Sequence, residues 1–157
     1  VFPQSSFQSN KHEAIIGIGD PKIREKVVHQ LPADTHYPSI IHPTAVISNY
    51  VKIGEGAIIT AGTIVTVDIE IGKQCQLNLL TTIGHDCIIG DYFTTAPDVN
   101  ISGICTFGDY IYFGTNSCVR QKISICDNVT IGMGGVVVKN ITEPGVYIGN
   151  PVQKLVK

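Results

Sequence analysis

The chain has 157 residues, of which 43% are hydrophobic and 15% are charged, and its formal net charge is −2. This length predicts one domain with a small appendage, and the near-neutral charge excludes a strongly basic nucleic-acid binder. No apolar run approaches the roughly 20 residues needed to cross a bilayer, so we expect no membrane insertion. The five cysteines include no C-x-x-C pair, which favours a reducing, cytoplasmic setting without a structural disulfide.

Residues 1–40 lie outside the regular pattern that follows them. The apolar run at residues 14–18 predicts a short buried strand. Asp20 and Pro21 form an N-cap and a helix-opening proline, so we predict a helix of about ten residues that ends near Gln30. A single βα unit has no sheet to pack against. We therefore expect residues 1–40 to be a lead-in and the remnant of a small N-terminal α/β domain.

From Ile41 to Val137 every sixth residue is apolar, and the register never slips. Thr95 is the one exception among the 17 anchor positions. The anchors are Ile41, Ile47, Ile53, Ile59, Val65, Ile71, Leu77, Ile83, Ile89, Thr95, Ile101, Phe107, Phe113, Val119, Ile125, Ile131 and Val137. A period of six fits neither a helix nor an ordinary strand, but three six-residue sides close a triangular coil. Residues 41–142 therefore predict an all-β fold, a left-handed parallel β-helix of hexapeptide repeats.

A second column, four residues after each anchor, is mostly small or β-branched and includes Cys75, Cys87 and Cys105. We expect these side chains to point inward and fill the core. Glycine often follows the anchor directly, and we expect it to permit unusual turn dihedrals at the corners. Pro144 and Gly145 end the hexads, so residues 143–157 are predicted to cap the open last coil.

Candidate chemistry starts at His85, which lies two residues after an anchor and should therefore point outward. Its neighbour Asp86 can orient the ring and raise its basicity, as a general base requires. In the next coil the residue stacked on His85 is Gly103. We expect its bare backbone to admit a ligand and to donate an amide to a thioester oxyanion.

A further column shrinks from Asn78 through Ala96 to Gly114 and Gly132. Such a column predicts a shallow groove parallel to the prism axis. Thr115 and Met133 flank it. A long, thin ligand such as a pantetheine arm would fit this groove.

Several stretches make the chain resemble the bacterial left-handed β-helix sugar acetyltransferases. That family includes sialic acid O-acetyltransferases and the UDP-N-acetylbacillosamine and perosamine N-acetyltransferases. The stretches are IGIGD (residues 16–20) with Ile23 and Arg24, IHPTA (41–45), GHDCIIG (84–90), NSC (116–118), GMG (132–134), VKN (138–140) and GVYIGNP (145–151).

The resemblance implies roles for individual residues. His85 would be the general base, Asp86 its supporting carboxylate and Asn78 an active-site asparagine. Acetyl-CoA would contact Thr94, Gly103, Thr115 and Met133, with Gly114 and Gly132 in the groove. The nucleotide sugar would lie near Ile18, Gly19, Asp20 and Arg24. A homotrimer with sites between its prisms and no metal is also implied.

The function expected from these features is acetyl-CoA-dependent acetylation of an amino or hydroxyl group of a nucleotide-activated sugar. The sequence leaves the sugar, the nucleotide and the choice of N- or O-acetylation open. One alternative is a γ-type carbonic anhydrase, which needs three histidine ligands, whereas only His42 and His85 lie in the repeats. Another is a non-catalytic scaffold. Ice binding would need a regular threonine array, which the repeats lack.

Overall fold

A computed structural model describes residues 6–156, and in it one helix precedes a long series of very short strands. Helix α1 spans Pro21–Gln30, as predicted, and the Asp20 side chain accepts a hydrogen bond from the Ile23 amide at 2.9 Å. The strands are β1 (Ile40–Ile41), β2 (Val46–Ile47), β3 (Val51–Ile53), β4 (Ile58–Ile59), β5 (Ile64–Val65), β6 (Ile69–Ile71), β7 (Gln76–Leu77), β8 (Thr82–Ile83), β9 (Ile88–Ile89), β10 (Thr94–Thr95), β11 (Asn100–Ile101), β12 (Thr106–Phe107), β13 (Tyr112–Phe113), β14 (Cys118–Val119), β15 (Ser124–Ile125), β16 (Val129–Ile131), β17 (Val136–Val137), β18 (Gly145–Gly149) and β19 (Val152–Lys154).

Every third strand stacks in parallel on the one before it, and each pair is offset by 18 residues, as in Ile83 against Ile101. The stacks form three faces. Face A runs from β1 through β4, β7, β10 and β13 to β16. Face B holds β2, β5, β8, β11, β14 and β17, and face C holds β3, β6, β9, β12 and β15. The predicted left-handed parallel β-helix is confirmed.

The anchors fill the interior of this prism. From Ile59 to Val137 every anchor is buried, and so is Thr95, whereas Ile41 is exposed at the open first coil. The second column is buried too from Ala57 onwards, with Cys75, Cys87 and Cys105 all in the core as predicted. Burial raises the pKa of the Cys75 thiol to about 12, so this sulfur is held as the neutral thiol.

The corner geometry differs from the expectation for glycine. The left-handed φ recurs three residues after every anchor from Ile53 to Ile131, and most residues there carry side chains, such as Asp86 with φ 57° and Ile104 with φ 61°. The glycines that follow the anchors serve close approach instead. A Cβ on Gly84, for example, would lie 2.5 Å from the amide nitrogen of Gly103 in the next coil. Neighbouring coils stack tightly at these points because one of them lacks a side chain.

The N-terminal segment also differs from the expectation. Residues 14–18 form no strand among the described residues, because a ladder needs repeated backbone pairing and this stretch makes a single backbone–backbone hydrogen bond within residues 6–156, from Ala14 to His36. They are extended chain laid on the prism, held where the Ala14 amide donates to the His36 carbonyl and Gln76 Nε2 donates to the Ile16 carbonyl at 2.7 Å. The prediction of a strand was wrong because the burial of Ala14 and Ile16 comes from a small separate cluster with Tyr37 and with apolar residues of α1.

The far end of the prism is closed by a hairpin. Strand β18 extends face A in parallel with β16, and β19 returns antiparallel to it. The bridge between Ile125 and Ile141 continues face C up to this cap. In the part of the chain that is described, no helix has the length and apolarity to cross a membrane.

Candidate active site

His85 and Asp86 lie at the corner between faces B and C, the B/C edge, directly after β8. The His85 ring nitrogen Nδ1 and the Asp86 carboxylate are 2.6 Å apart, and more than half of each side chain is exposed. With Nδ1 engaged by the carboxylate, the imidazole is held in one orientation and Nε2 is left as the basic nitrogen. This is the arrangement that a general base needs.

Gly103 lies against this ring. A Cβ at position 103 would be 2.8 Å from Nε2 of His85 and 2.9 Å from both Cδ2 and Cε1. Three nearly equal distances mean that the outer part of the ring packs face-on against the glycine. The space over Gly103, which we expected to admit a ligand, is therefore partly occupied by His85 itself. A ligand would have to approach from the side of the ring.

Two backbone amides of the B/C edge have no hydrogen-bond acceptor within residues 6–156, whereas the equivalent amides of the neighbouring edge are hydrogen-bonded. At the corner between faces C and A, Asp91 accepts from the Lys73 amide at 2.9 Å, and Asp109 accepts from the Asp91 amide at 2.7 Å. The equivalent amides on the B/C edge are those of His85 and Gly103. Among residues 6–156 neither has a hydrogen-bond acceptor, because Gly103 has no side chain and Gln121 makes no such bond.

Asn78 lies on the opposite edge of face B, between faces A and B. Its backbone amide donates to the Thr95 hydroxyl at 3.0 Å, and that hydroxyl is 2.7 Å from the hydroxyl of Thr81. Thr95, the single polar anchor, therefore supports the corner that carries Asn78. Within one chain face B separates Asn78 from His85, so the two do not meet.

The expected groove runs along the A/B edge above Asn78. Ala96 and Gly114 are buried, and a Cβ on Gly114 would lie 2.5 Å from the amide nitrogen of Met133, which makes the groove floor bare backbone. Thr115 is half-buried, and Met133 is 81% exposed beside the floor. At Gly132 the groove meets the cap, because a Cβ there would lie 2.8 Å from Ile148.

The residues expected to hold the sugar lie elsewhere, on face A. Arg24 of α1 is fully buried. Its guanidinium donates to the carbonyls of Gln74 at 2.9 Å, Ile18 at 2.5 Å and Tyr92 at 2.8 Å. It also donates to the Thr94 hydroxyl at 2.8 Å. Arg24 and Thr94 therefore fasten α1 to the prism. The ligand contacts expected for these two residues stay a prediction.

Desolvation by burial lowers the pKa of Arg24 to about 10, although the group stays cationic at neutral pH. Gly19 and Asp20 remain exposed, and with Pro21, Tyr112 and Thr130 they line a cavity of about 400 Å³. This cavity opens on face A, so it is separate from the His85 edge of the same chain.

A recess beside Asp86 was not anticipated from the sequence. It has a volume of about 380 Å³ on face C, and Tyr50, Lys52, Asp68 and Glu70 line it together with Asp86. The signal that could have found it is the 18-residue offset, which stacks Asp68 beneath Asp86. Among the described residues, no three histidine, cysteine, aspartate or glutamate side chains come close enough together to hold a metal ion.

Known proteins resemble this chain in both sequence and structure. The GDP-perosamine N-acetyltransferase of Escherichia coli O157:H7 is 31% identical over 109 residues, which are 69% of this chain and 49% of that relative. The chain spans about half of that relative's length, and 28% of the length of the UDP-3-O-acylglucosamine N-acyltransferase of Bordetella avium (strain 197N). No protein-family model matches the chain.

Among solved structures, WeeI from Acinetobacter baumannii AYE is 33% identical with a TM-score of 0.86, over 90% of this chain and 69% of that one. PerB from Caulobacter crescentus, in complex with CoA and GDP-perosamine, is 28% identical with a TM-score of 0.87. That match covers 90% of this chain and 69% of PerB.

Proposed function

Because the chain belongs to the hexapeptide-repeat acetyltransferase family, we propose that it transfers the acetyl group of acetyl-CoA to an amino group of a nucleotide-activated sugar. The observation that carries the proposal is the His85–Asp86 pair beside the unpaired amides of the B/C edge. The perosamine N-acetyltransferase relative and the PerB complex with CoA and GDP-perosamine support the donor, the class of acceptor and N-acetylation.

In the proposed reaction the sugar amine attacks the thioester carbonyl, and Nε2 of His85 takes the proton. Asp86 stabilises the imidazolium that forms, because its carboxylate already contacts Nδ1. Charge develops on the carbonyl oxygen in the tetrahedral intermediate, and the Gly103 amide, which has no acceptor among the described residues, would donate to it. Collapse of the intermediate expels the CoA thiolate, which needs no metal ion and no covalent enzyme intermediate.

We also propose that the site is completed by a second copy of the chain in a homotrimer. Asn78 and the small-residue groove lie on the A/B edge, whereas His85 lies on the B/C edge, so one chain presents the two halves separately. Face B and its A/B edge expose apolar side chains that an interface would cover, including Val46, Ile64 and Leu80. Light scattering should give three times the chain mass, and a monomer at micromolar concentration would contradict this part of the proposal.

The acetyl transfer is tested by offering the protein acetyl-CoA with a panel of UDP-, GDP- and dTDP-linked amino sugars. Release of free CoA thiol and mass spectrometry of the sugar should reveal one acetylated product, 42 Da heavier by the exchange of H for acetyl. The matching hydroxyl sugars serve as controls and separate N- from O-acetylation. No transfer to any acceptor, with acetyl-CoA bound, would overturn the proposal.

A further inference from the structure

Thr95 is the one polar residue among the anchors, and it lies in the core of the prism. Its side chain is fully buried, as is that of Thr81, and the two hydroxyl oxygens are 2.7 Å apart. A buried hydroxyl costs free energy unless it is hydrogen-bonded, whereas an apolar anchor such as Val65 has no such requirement. Packing of the core therefore does not account for a threonine at this anchor.

The contact that Thr95 makes interrupts the regular hydrogen bonding of the prism. Within residues 42–120, the amide of the residue after an anchor donates to the carbonyl of the anchor one coil later, as Ala96 does to Phe113. Asn78 is the exception among these residues. Its amide donates instead to the Thr95 hydroxyl, at 3.0 Å. At this corner a side chain has replaced the backbone acceptor.

Buried threonines hold the backbone of Asn78 on both sides. The Asn78 carbonyl accepts from the Thr63 hydroxyl at 3.3 Å and from the Thr81 amide at 3.2 Å. Thr63, Thr81 and Thr95 are all fully buried, and together they form the threonine network. Because side chains in a close-packed core keep to single rotamers, this network fixes the direction of the peptide groups on either side of Asn78.

The side chain of Asn78 takes its orientation from the same backbone. Its Oδ1 accepts from the Leu79 amide at 2.9 Å. The residue is exposed, and its Nδ2 has no acceptor among residues 6–156. The unpaired group of Asn78 is therefore a hydrogen-bond donor whose direction follows the backbone.

We propose that Thr95 is a positioning residue for the acetyl transfer and acts by setting the direction of Asn78 Nδ2, an inference that rests on the proposed function. Strands β7 and β8 belong to one coil, so Asn78 and His85 lie at similar heights along the prism. A trimer whose axis is parallel to its prisms would bring these two levels together across an interface. A donor at that height faces the reacting groups, so its misdirection should lower kcat more than it raises KM.

Three substitutions test this role. Thr95→Val removes the hydroxyl and keeps the branched shape that Val65 already supplies at an anchor. Thr95→Ser keeps the hydroxyl. Thr35→Val is the matched control, because it removes a buried hydroxyl from the segment before the prism. Steady-state kinetics of CoA release give kcat and KM for each variant, and melting curves check that each one folds.

Thr95→Val should lower kcat by about tenfold, less than the loss of a whole transition-state donor, because the donor is turned and not removed. The KM for acetyl-CoA should change by less than about twofold. Thr95→Ser should restore most of the wild-type kcat, and the Thr35→Val control should match the wild type. A kcat within about twofold of wild type in Thr95→Val would overturn the proposal.

A double-mutant cycle with Asn78→Ala separates positioning from a purely structural role. If Thr95 acts through Asn78, Thr95→Val should change kcat by less than about twofold in the Asn78→Ala background. Its effect on the melting temperature should persist in both backgrounds. A tenfold loss of kcat in both backgrounds would show that Thr95 does not act through Asn78.

The side-chain NH2 signals of Asn78 provide a measurement that does not depend on acetyl transfer. In protein labelled with nitrogen-15 asparagine, and with the signals assigned through Asn78→Ala, they should shift in Thr95→Val and not in Thr95→Ser. Such a shift in a protein that acetylates no acceptor would contradict the proposed function while supporting the positioning of Asn78. Unshifted signals and a normal kcat in Thr95→Val, beside an active wild type, would overturn this inference alone.

Discussion

The imidazole ring of His85 packs face-on against Gly103, which lies one coil further along the B/C edge. The two residues together determine the space available at the candidate active site. A Cβ on Gly103 would lie 2.8 Å from Nε2, so any larger residue there must displace the ring. The same missing side chain leaves the His85 amide without the capping acceptor that Asp109 provides to Asp91 at the neighbouring corner. A base and free amide donors thus occur together at one place.

Replacing His85 with alanine should lower kcat by about 100- to 10,000-fold, the usual contribution of a general base. The Kd of acetyl-CoA and the oligomeric state should change little, because more than half of the His85 side chain is exposed. Steady-state kinetics of CoA release measure the effect. His42→Ala is the control, since His42 lies exposed on the first coil and contacts Thr44. Wild-type turnover in His85→Ala would contradict the mechanism.

Asp86→Asn should lower kcat by roughly tenfold or more, a smaller loss than in His85→Ala, because it weakens the base without removing it. The amide oxygen can still accept a hydrogen bond from Nδ1 at the 2.6 Å separation seen here, but it carries no charge to stabilise an imidazolium. The ratio of the two kcat values checks this order. A larger loss in Asp86→Asn than in His85→Ala would refute the supporting role.

Gly103→Ala should reduce kcat strongly while leaving the fold intact. The backbone of Gly103 lies outside the left-handed region, so alanine is tolerated there, but its Cβ would push the His85 ring out of position. Gly17→Ala is a matched control, because a Cβ at Gly17 meets nothing within 4 Å. Equal kcat values for the two variants, measured alongside their melting temperatures, would show that the contact does not matter for catalysis.

Arg24→Met should lower the free energy of unfolding by about 3 kcal/mol or more, since it leaves buried carbonyls without charged donors. The loss should be concentrated in α1, where amide hydrogen exchange would accelerate. Arg24→Lys should be intermediate, because a lysine keeps the charge and reaches fewer acceptors. If Arg24 instead bound the sugar, Arg24→Met would raise the KM for the sugar and leave stability unchanged.

Acetyl-CoA should protect the protein against heat in the absence of any sugar. A ligand at 100 times its Kd stabilises the folded state by about 2.7 kcal/mol, which corresponds to roughly 5–10 °C in Tm for a domain of this size. Differential scanning fluorimetry with acetyl-CoA, and with pantetheine for comparison, measures the shift. No shift at millimolar acetyl-CoA would argue against a donor site on this chain.

The sequence alone was sufficient to predict the prism. Burial in a β-helix places an inward apolar residue, such as Ile59 or Phe113, at every sixth position, and this period can be read directly from the sequence. The same period predicted that Gly103 stacks on His85 and that Cys87 lies in the core.

Other features depended on the tertiary structure, because they arise between segments distant in sequence. Arg24 and Thr94 are 70 residues apart, and their contact forms only when α1 lies on face A. The packing of the His85 ring onto Gly103 and the free amides of that edge depend on side-chain direction, which a repeat pattern does not specify. Asn78 and His85 are only seven residues apart in sequence, yet folding places them on opposite edges of face B.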